Sequence, residues 1–336
     1  MGNASESKIL TIIIPTYNNP SALCKNLKML TNYFIDMQTA VDIVISDDGS
    51  SSENNLAVER FLAELQNPNI RYYYHENIGL EKNELLLIEK VNTKYAMLLG
   101  EDDYLPKKYL EKVFGYLNNY EIGAIFANFY AVREDGKKVN RGCRNRLRKD
   151  KIFTESNYKL MFLAHQMSGL VFRTEGLSDY YNENVSSNLY PQLSFVAYSI
   201  DKGVCVHITD CPFECTILNK KRFNYAVDDL TYDMLKNVVA IVKTKKERRK
   251  LLNYFLLRWS AKFCNLRSWT SPIEFFKRID EYSLLTKGER RKIKATFVFS
   301  YFVAPFRIFY RFVILPIIGK MEQKKIGKLV EDSRYE

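Results

Sequence analysis

The sequence of 336 residues has few of the features that mark disordered, repetitive or disulfide-stapled proteins. It contains only 14 glycines and 9 prolines, a composition that argues against a low-complexity chain. Its six cysteines form no regular framework, and the first residues, MGNASESK, lack the apolar run of a secretory signal. We therefore expect reduced thiols in a protein of the cytoplasm, because disulfides persist in oxidising compartments. No internal repeat is visible.

Apolar and charged residues are plentiful. Hydrophobic residues make up 46% and aromatic residues 14% of the chain, which is enough for the core of one large domain or two. Lys and Arg outnumber Asp and Glu by 50 to 39, which gives a net charge of +11. The positive charges crowd into residues 141–151, 243–250 and 287–294. Such a balance indicates a polyanionic partner, either nucleic acid or an anionic membrane surface.

Three apolar runs in the first 103 residues each end in a polar cluster. They read LTIIIPTYNN (Leu10–Asn19), VDIVISDDGS (Val41–Ser50) and YAMLLGEDD (Tyr95–Asp103). A continuous apolar run before a polar end is typical of a buried parallel strand, and ligands of open α/β sheets lie beyond such ends. A tyrosine, several carboxylates and a glycine turn there suit a nucleotide bound through a divalent metal. Acidic strand ends repel the phosphates of nucleic acid, so we expect no nucleic-acid partner and favour the membrane surface.

Strands and helices alternate in the first half of the chain. Four strand–helix units in succession predict an α/β fold with a parallel sheet and right-handed crossovers. The predicted helices cover residues 21–33, 53–65, 79–91 and 106–118, and a further strand covers 70–75. Later strands are expected at 124–134, 169–173 and 204–209, with helices at 158–164 and 189–202, and residues 141–151 are expected to form a loop. Beyond residue 228 the periodicity is helical throughout.

The polar strand ends carry a resemblance to a known family. IIPTYN (13–18), DDGS (47–50) and EDD (101–103) resemble the family 2 glycosyltransferases of the GT-A fold, including those that build bacterial capsule and lipopolysaccharide O-antigen. The resemblance covers residues 8–135. It implies a GT-A, Rossmann-like fold with a mainly parallel central sheet flanked by helices, here with a helical C-terminal extension. It also implies an inverting, hexosyltransferase-type enzyme that takes a sugar from a nucleoside-diphosphate donor and uses Mn²⁺ or Mg²⁺.

The same resemblance assigns residues to the nucleotide sugar. Tyr17 would stack on the nucleobase, although a surface tyrosine in a turn explains it too. Asp47 or Asp48 would accept hydrogen bonds from the base or ribose, unless DDGS simply caps the following helix. Arg71 matches an arginine near the nucleotide in some members, and a strand-edge salt bridge is the alternative. The implied nucleotide-sugar set is Pro15, Thr16, Tyr17, Asn18, Asp47, Asp48, Arg71, Glu101 and Asp102.

The metal and the catalytic base are assigned in the same way. By analogy with the family, Asp103 would ligate the cation, because Mg²⁺ and Mn²⁺ take one or two carboxylates together with phosphate oxygens. Helix-terminal acids before Pro106 are the alternative. Many members supply the general base from a downstream acidic pair, and here the candidates are Asp179 and Glu183. Both lie where the pair is expected, and they are followed by the segment Asn188-Leu189-Tyr190-Pro191-Gln192.

Acceptor binding is assigned to His165 and Gln192. A glutamine cannot act as a base, but its amide can bind the hydroxyl groups of a sugar. His165 precedes Met167-Ser168-Gly169 and is expected to line the acceptor pocket. The acceptor itself is expected to be a glycan or a lipid-linked oligosaccharide.

The second strong feature is the apolar segment Thr296–Lys320, which contains Arg307 and Arg311. Each arginine at the centre of a spanning helix costs about 2.5–3.5 kcal/mol on insertion scales. Two arginines four residues apart share one helical face, which favours a helix lying in the membrane surface over a buried core helix or a true span. Flanking lysines and arginines would meet anionic headgroups. We therefore expect peripheral attachment to the inner face of the cell membrane.

Together these patterns predict two domains. Residues 1–220 would form the catalytic domain, with a nucleotide-sugar half at about 8–135 and an acceptor half at about 136–220. Residues 221–336 would form a helical region rich in basic and aromatic residues. The leading hypothesis is a metal-dependent glycosyltransferase of surface polysaccharide synthesis. The alternative is a catalytically inactive nucleotide-sugar-binding scaffold subunit, and a homo-oligomer is compatible with either.

Overall fold

The computed structural model describes residues 8–133, 138–139, 149–185, 187–217, 227–242, 244–259 and 272–309. The chain divides into two compact units, residues 1–224 and 225–336. The first unit contains a large mixed sheet with helices, and the second is helical in its described residues. This architecture confirms the predicted α/β fold with a helical C-terminal part. The division into donor and acceptor halves stays a prediction.

The first unit contains nine strands, six α-helices and a 3₁₀ helix within the described ranges. Its strands are β1 (Leu10–Thr16), β2 (Asp42–Asp48), β3 (Ile70–His75), β4 (Tyr95–Leu98), β5 (Ile122–Arg133), β6 (Lys138–Val139), β7 (Lys151–Phe153), β8 (Leu170–Arg173) and β9 (Val204–Ile217). Its helices are α1 (Pro20–Asp36), α2 (Ser52–Leu65), α3 (Leu80–Glu89), α4 (Lys107–Asn119), the 3₁₀ helix (Tyr158–His165), α5 (Leu177–Asn184) and α6 (Pro191–Ile200).

The order and direction of the strands decide which strand ends lie together. The sheet runs β3-β2-β1-β4-β8-β5-β9-β7, with β6 beside β5. Strands β1 to β4 are parallel to one another, so β1, β2 and β4 end on one side of the sheet. We call that side, marked by Thr16, Asp48 and Leu98, the carboxyl edge. Strand β8 is antiparallel to both β4 and β5, so it begins at the carboxyl edge and brings the residues before it there.

The apolar runs form the core because both faces of the central strands are covered. Ile12, Ile13 and Ile14 of β1 are all fully buried, which is why the run is continuous rather than alternating. Helix α1 packs on one face with Leu23 and Leu27, spaced as one helical stripe. The strand ends are therefore mounted on a rigid support.

The structure differs from the sequence prediction in three places. β9 continues to Ile217 rather than ending at 209, because pairing with the long strand β5 supports its polar middle. Lys151, the last residue of the predicted loop 141–151, begins strand β7, and residues 141–148 lie outside the described ranges. Helix α5 was not predicted, since eight residues are too few for a clear helical period.

The second unit contains four helices in its described residues: α7 (Val227–Ile241), α8 (Lys245–Trp259), α9 (Pro272–Glu281) and α10 (Lys287–Phe309). None of the helices in the described ranges is both long and apolar enough to cross a bilayer. Phe299, Phe302 and Phe306 of α10 are 63%, 73% and 75% exposed, which does not fit a core helix. Residues 310–320 of the predicted apolar segment lie outside the described residues.

Glu84 of α3 is a buried carboxyl group inside the first unit. Both of its oxygens are buried without a hydrogen-bond partner among the residues described. Burial raises its pKa to about 8, and the nearby charge of Glu81 adds to the effect. The folded-state pKa therefore lies above the ordinary value of 4.5. Its favourable contribution is complete below that ordinary value and is lost as the pH rises through the folded-state pKa.

We expect Glu84→Gln to remove this pH dependence. Between pH 5 and pH 8, the unfolding free energy of the unmodified protein should fall relative to the variant by on the order of 2 kcal/mol. Urea denaturation followed by circular dichroism at both pH values measures the difference. Glu89→Gln, at an exposed site on the same helix, is the control. Parallel pH profiles for the unmodified protein and Glu84→Gln would contradict the assignment.

Candidate active site

Glu101 joins the loop after β1 to the turn after β4. Its Oε2 accepts a hydrogen bond from Thr16 Oγ1 and another, 3.0 Å long, from the backbone N–H of Tyr17. Burial raises the pKa of Glu101, and the hydrogen bonds it accepts, with that from Thr16 the strongest, oppose the rise. The carboxylate therefore fixes the loop that carries Tyr17. Tyr17 itself is 43% exposed, as a stacking surface for a base requires.

Asn18 joins the same loop to the turn after β2. Its backbone adopts φ +52°, a left-handed conformation that asparagine tolerates better than most residues. Its Oδ1 accepts hydrogen bonds from Ser51 N at 2.8 Å and from Asn54 Nδ2 at 2.9 Å. Its backbone N–H donates to Ser50 Oγ at 2.7 Å. The loop after β1 is thus tied to the turns after both β2 and β4.

Asp47 and Asp48 are both buried and both hold local structure. Asp47 accepts hydrogen bonds from Ser50 N at 2.8 Å and from Tyr72 Oη at 2.6 Å. Asp48 Oδ1 accepts a hydrogen bond of 2.7 Å from Ile78 N in the loop before α3. The side chain that caps α2 is Ser51, not either aspartate. Nucleotide binding by these carboxylates stays a prediction.

Asp103 lies in a turn that its neighbours hold closely. We call residues 100–103 the carboxylate turn. Asn26 Nδ2 lies 3.4, 3.3 and 3.0 Å from the carbonyl oxygens of residues 100, 101 and 103, respectively, and donates to them. Ser168 Oγ accepts from Gly100 N at 2.9 Å and donates to Asp103 Oδ2 at 2.5 Å. Gln166 Nε2 donates to the same Oδ2 at 3.3 Å.

The carboxylate of Asp103 is costly to ionise where it lies. Only 6% of the residue is exposed. Burial raises its pKa to about 7, while the hydrogen bond from Ser168 opposes the rise and the charge of Asp102 adds to it. Cys215 on β9 lies beside this group, because Gln166 Nε2 lies 3.5 Å from its Sγ. Burial and the charges of Asp103 and Asp102 raise the pKa of the Cys215 thiol to about 12.

The residues present fit a divalent cation of the Mg²⁺ or Mn²⁺ type. In the described part of the chain, no group of three or more His, Cys, Asp or Glu side chains is arranged to hold a metal ion. Mg²⁺, however, is commonly bound by one or two carboxylates together with substrate phosphates. Asp102 and Asp103 offer those oxygen donors, and a cation would offset the cost of ionising the buried Asp103.

The predicted acceptor residues lie near the carboxyl edge. The 3₁₀ helix ends at His165, directly before Gln166, and the His165 ring packs edge-on against Phe129 with centroids 5.9 Å apart. Helix α6 packs on this 3₁₀ helix and leads into β9, which starts at the opposite edge. The first turn of α6, with Gln192, therefore points toward the carboxyl edge. Gln192 Oε1 is buried and has no hydrogen-bond partner among the described residues.

The two candidate bases lie on α5, and both are exposed. The chain enters α5 at the far edge of the sheet, where Thr174 N donates to Lys94 O at 3.3 Å. Farther along the helix, Tyr181 Oη donates to Glu81 Oε1 at 2.7 Å, in the first turn of α3. Glu183 therefore lies about 6 Å farther along the helix axis than Asp179, toward the carboxyl edge. The geometry favours Glu183 of the two.

The register of the sheet does not place Arg71 at the carboxyl edge. It pairs with Val44, whereas Asp47 pairs with Tyr74. Three residues of strand correspond to about 10 Å. Its contact with the nucleotide stays a prediction, and the strand register does not support it.

Sequence reasoning missed Asn26, Ser168, Gln166, Cys215 and Glu81. One of them had a readable signal: Asn26 lies in the apolar stripe of α1 between Leu23 and Leu27, where a buried polar residue needs partners. Each of the other four has its contact with a partner at least 49 positions away along the chain. Glu81 follows the turn at Gly79, but that turn does not point to its partner. Nothing in their local sequence indicates those contacts.

Comparison with known proteins now identifies the first unit. The sequence pattern described as "Glycosyl transferase family 2" matches residues 11–175. These residues are a family 2 glycosyl transferase domain. The match begins in β1 and ends just before α5, so it includes the carboxylate turn, Ser168 and strand β8. It confirms the family recognised from the strand-end motifs.

Curated relatives match a little over a third of the chain. The chain is 24% identical over 125 residues to glycosyltransferase GlyA of Streptococcus pneumoniae, covering 37% of this chain and 17% of that protein. It is 26% identical over 128 residues to an uncharacterised glycosyltransferase of Mycoplasma genitalium, covering 36% and 41%. It is 27% identical over 139 residues to one of Methanocaldococcus jannaschii, covering 39% and 45%. The chain thus spans less than half the length of each of these relatives.

Solved structures show a shared fold over most of the chain. Residues 1–349 of S. aureus TarS, in complex with UDP-GlcNAc, align with a TM-score of 0.65 and 15% identity, covering 90% of this chain and 91% of that one. The same TarS segment in complex with UDP aligns with a TM-score of 0.63 and 16% identity, at the same coverage. This similarity confirms the GT-A fold.

We expect Ser168→Ala to destabilise the first unit by about 1–3 kcal/mol, because it removes one partner each from the buried Asp103 carboxylate and the Gly100 N–H. Urea denaturation followed by circular dichroism measures the loss. Ser52→Ala, at an exposed position at the start of α2, is the control and should stay within about 0.5 kcal/mol of the unmodified protein. An equally small change for Ser168→Ala would show that the hydrogen bonds between Ser168 and the carboxylate turn contribute little to the free energy of unfolding.

Proposed function

We propose that the protein is a metal-dependent, inverting glycosyltransferase that moves a sugar from a nucleoside-diphosphate sugar to a glycan acceptor. The observation that carries the proposal is the carboxylate turn: within a family 2 domain, the buried Asp103 is held at the carboxyl edge beside the loop that carries Tyr17. The family supports the reaction class. The turn supports a diphosphate leaving group bound through a cation.

The donor site extends from the loop after β1 to the carboxylate turn. Tyr17 stacks on the base, and the backbone after Pro15 and Thr16 flanks the nucleotide. Asp102 and Asp103 would hold the divalent cation together with the donor phosphates. The cation, when bound, supplies positive charge to the departing nucleoside diphosphate. Glu101, Thr16 and Asn18 keep the loop in place so that donor binding needs little rearrangement.

The acceptor reacts from the side of α5 and α6. A carboxylate, Glu183 or Asp179, takes the proton from the acceptor hydroxyl as its oxygen bonds to the anomeric carbon. The bond from that carbon to the phosphate oxygen breaks, and the leaving diphosphate keeps the electron pair. Attack opposite the leaving group inverts the anomeric centre. Gln192 Oε1 and His165 bind neighbouring acceptor hydroxyls, a role that suits the buried, unpartnered oxygen of Gln192.

The acceptor is a lipid-linked glycan of surface polysaccharide synthesis, and the protein acts at the inner membrane face. Phe299, Phe302 and Phe306 support this, because their spacing places three exposed rings on one side of α10. Exposed cationic side chains at the start of the same helix suit anionic headgroups. A second copy of the chain is the competing occupant of this face, and sedimentation with and without anionic vesicles separates the two.

We expect one nucleotide-sugar class to bind only when a divalent cation is present. Calorimetry with UDP, GDP, CDP and dTDP sugars, first with Mn²⁺ and then with chelator, measures this, and UDP comes first because TarS was solved with UDP-GlcNAc. Asp103→Asn should weaken binding by about 100-fold, since it removes a charged oxygen ligand. Asp36→Asn, exposed in its ion pair with Lys107, is the control.

Equal binding in Mn²⁺ and chelator would reject the metal role of Asp103. Tight binding without turnover on any glycan acceptor would favour the inactive scaffold. Absence of donor binding by a folded sample would overturn the proposed function as a whole.

We expect Glu183→Gln to lower kcat by at least about 100-fold with little change in donor affinity, because a general base acts only on the acceptor. Asp179→Asn is the matched comparison on the same helix and should retain more activity. The pH–rate profile distinguishes the two roles, because loss of a base removes its acidic limb. Full activity in both variants would place the base elsewhere, with Glu81 as the next residue to replace.

A further inference from the structure

A cavity of about 610 Å³ lies within the second unit, between the first turns of α8 and α10. Four cationic side chains line it, Lys245, Arg248, Arg249 and Lys292, and Glu289 is the one acidic residue among the described lining. The lining therefore carries a surplus of positive charge. The family 2 match ends at residue 175, so no part of this cavity belongs to the matched domain.

The charges of the lining are not equivalent. Arg248 is committed to the protein: its Nε and one terminal nitrogen each lie 2.8 Å from the two oxygens of Glu289, and it also donates to the carbonyl of Leu284. Lys292 donates a hydrogen bond to Asn253 Oδ1. Because an amide is neutral, this contact does not compensate the positive charge of the lysine. Lys245 and Arg249 are exposed and form no ion pair with any residue that the structure describes.

Lys245 and Arg249 also lie on the same side of α8. Residues four apart on a helix are neighbours on its surface, so both side chains extend over the same mouth of the cavity. Lys292 reaches the cavity from α10. Like charges brought together in this way repel each other, and a bound anion would offset that repulsion.

The two helices that line the cavity are capped at their first turns by Thr244 and Thr286. Glu247 N donates to Thr244 Oγ1 at 3.3 Å, and the Thr244 hydroxyl donates back to the Glu247 carboxylate at 2.7 Å. Glu289 N donates to Thr286 Oγ1 at 3.3 Å, and Thr286 N donates to Glu289 Oε2 at 2.8 Å. Each helix thus begins at a defined residue, which fixes the backbone positions from which the cationic side chains extend.

We propose that this cavity is a binding site for a phosphate group that carries a substituent. The cation cluster selects a compact anion, since arginine and lysine are the side chains that bind phosphate. The volume lies in the range of small-molecule pockets and leaves room for the attached group. The source of the phosphate is either a soluble phosphorylated compound or a phospholipid headgroup. The site is separate from the proposed glycosyl transfer and does not depend on it.

The test compares two double variants of the full chain that carry the same change of charge. Lys245→Gln with Arg249→Gln removes the two unpaired cations of the cavity. Lys246→Gln with Lys250→Gln removes two exposed cations of the same helix, at the same spacing, outside the described lining. All samples contain chelator, which excludes phosphate held through a divalent metal. One arm follows binding of inorganic phosphate by ³¹P NMR. The other measures co-sedimentation with vesicles of phosphatidylcholine, with or without phosphatidylglycerol.

We expect the cavity variant to lose at least about tenfold in affinity and the control to stay near the unmodified protein. Loss in the vesicle arm alone would name a lipid headgroup, and loss in the phosphate arm would name a soluble ligand. Equal loss in both variants would show a nonspecific charge effect and overturn the site, as would absence of binding in both arms. Arg249→Lys should retain most binding. If the double variant does not fold, the single variant Lys245→Gln is measured in the same two arms.

Discussion

The arrangement of side chains at the carboxyl edge depends on one constraint. That constraint is the free-energy cost of burying the negative charge of Asp103. Its described hydrogen-bond donors, Ser168 and Gln166, are uncharged, so they orient the carboxylate without neutralising it. Asn26 orients the backbone of the same turn with an equally neutral amide. A site arranged in this way is electrostatically incomplete and favours a cation. The ion pairs among the described residues of the unit lie elsewhere, as between Lys112 and Asp150.

The cavity of the second unit shows the opposite imbalance. There the cations are in surplus, and one arginine is committed to Glu289 while two other side chains form no ion pair among the described residues. Each site therefore favours a ligand of the missing sign. The net charge of +11 comes from residues 225–336, which contain 24 Lys and Arg against 12 Asp and Glu, whereas residues 1–224 are close to neutral.

The sequence predicted what short-range patterns determine. The continuous apolar runs located β1, β2 and β4, and the tyrosine-rich strand β3 had the predicted bounds of 70 and 75. The acidic strand end at Asp103 was likewise visible in the sequence. What surrounds Asp103 was not visible, because Ser168 lies 65 positions away and reaches it only through the antiparallel placement of β8. Arg71 shows the converse limit, since a motif fixes neither register nor depth along a strand.

The hydrogen bond from Gly100 N to Ser168 Oγ joins residues 68 positions apart, one just after β4 and one just before β8. The segment between them contributes helix α4 and strands β5, β6 and β7 of the same sheet, and its two ends meet at the carboxylate turn. Closing a flexible loop costs only about 0.6 kcal/mol more when its length doubles. Surface loops between the helix and strands of this segment can therefore change in length at small cost while Ser168 keeps its contact with the carboxylate turn. The geometry around Asp103 therefore depends on where β8 pairs with β4, and not on the length of the surface loops between them.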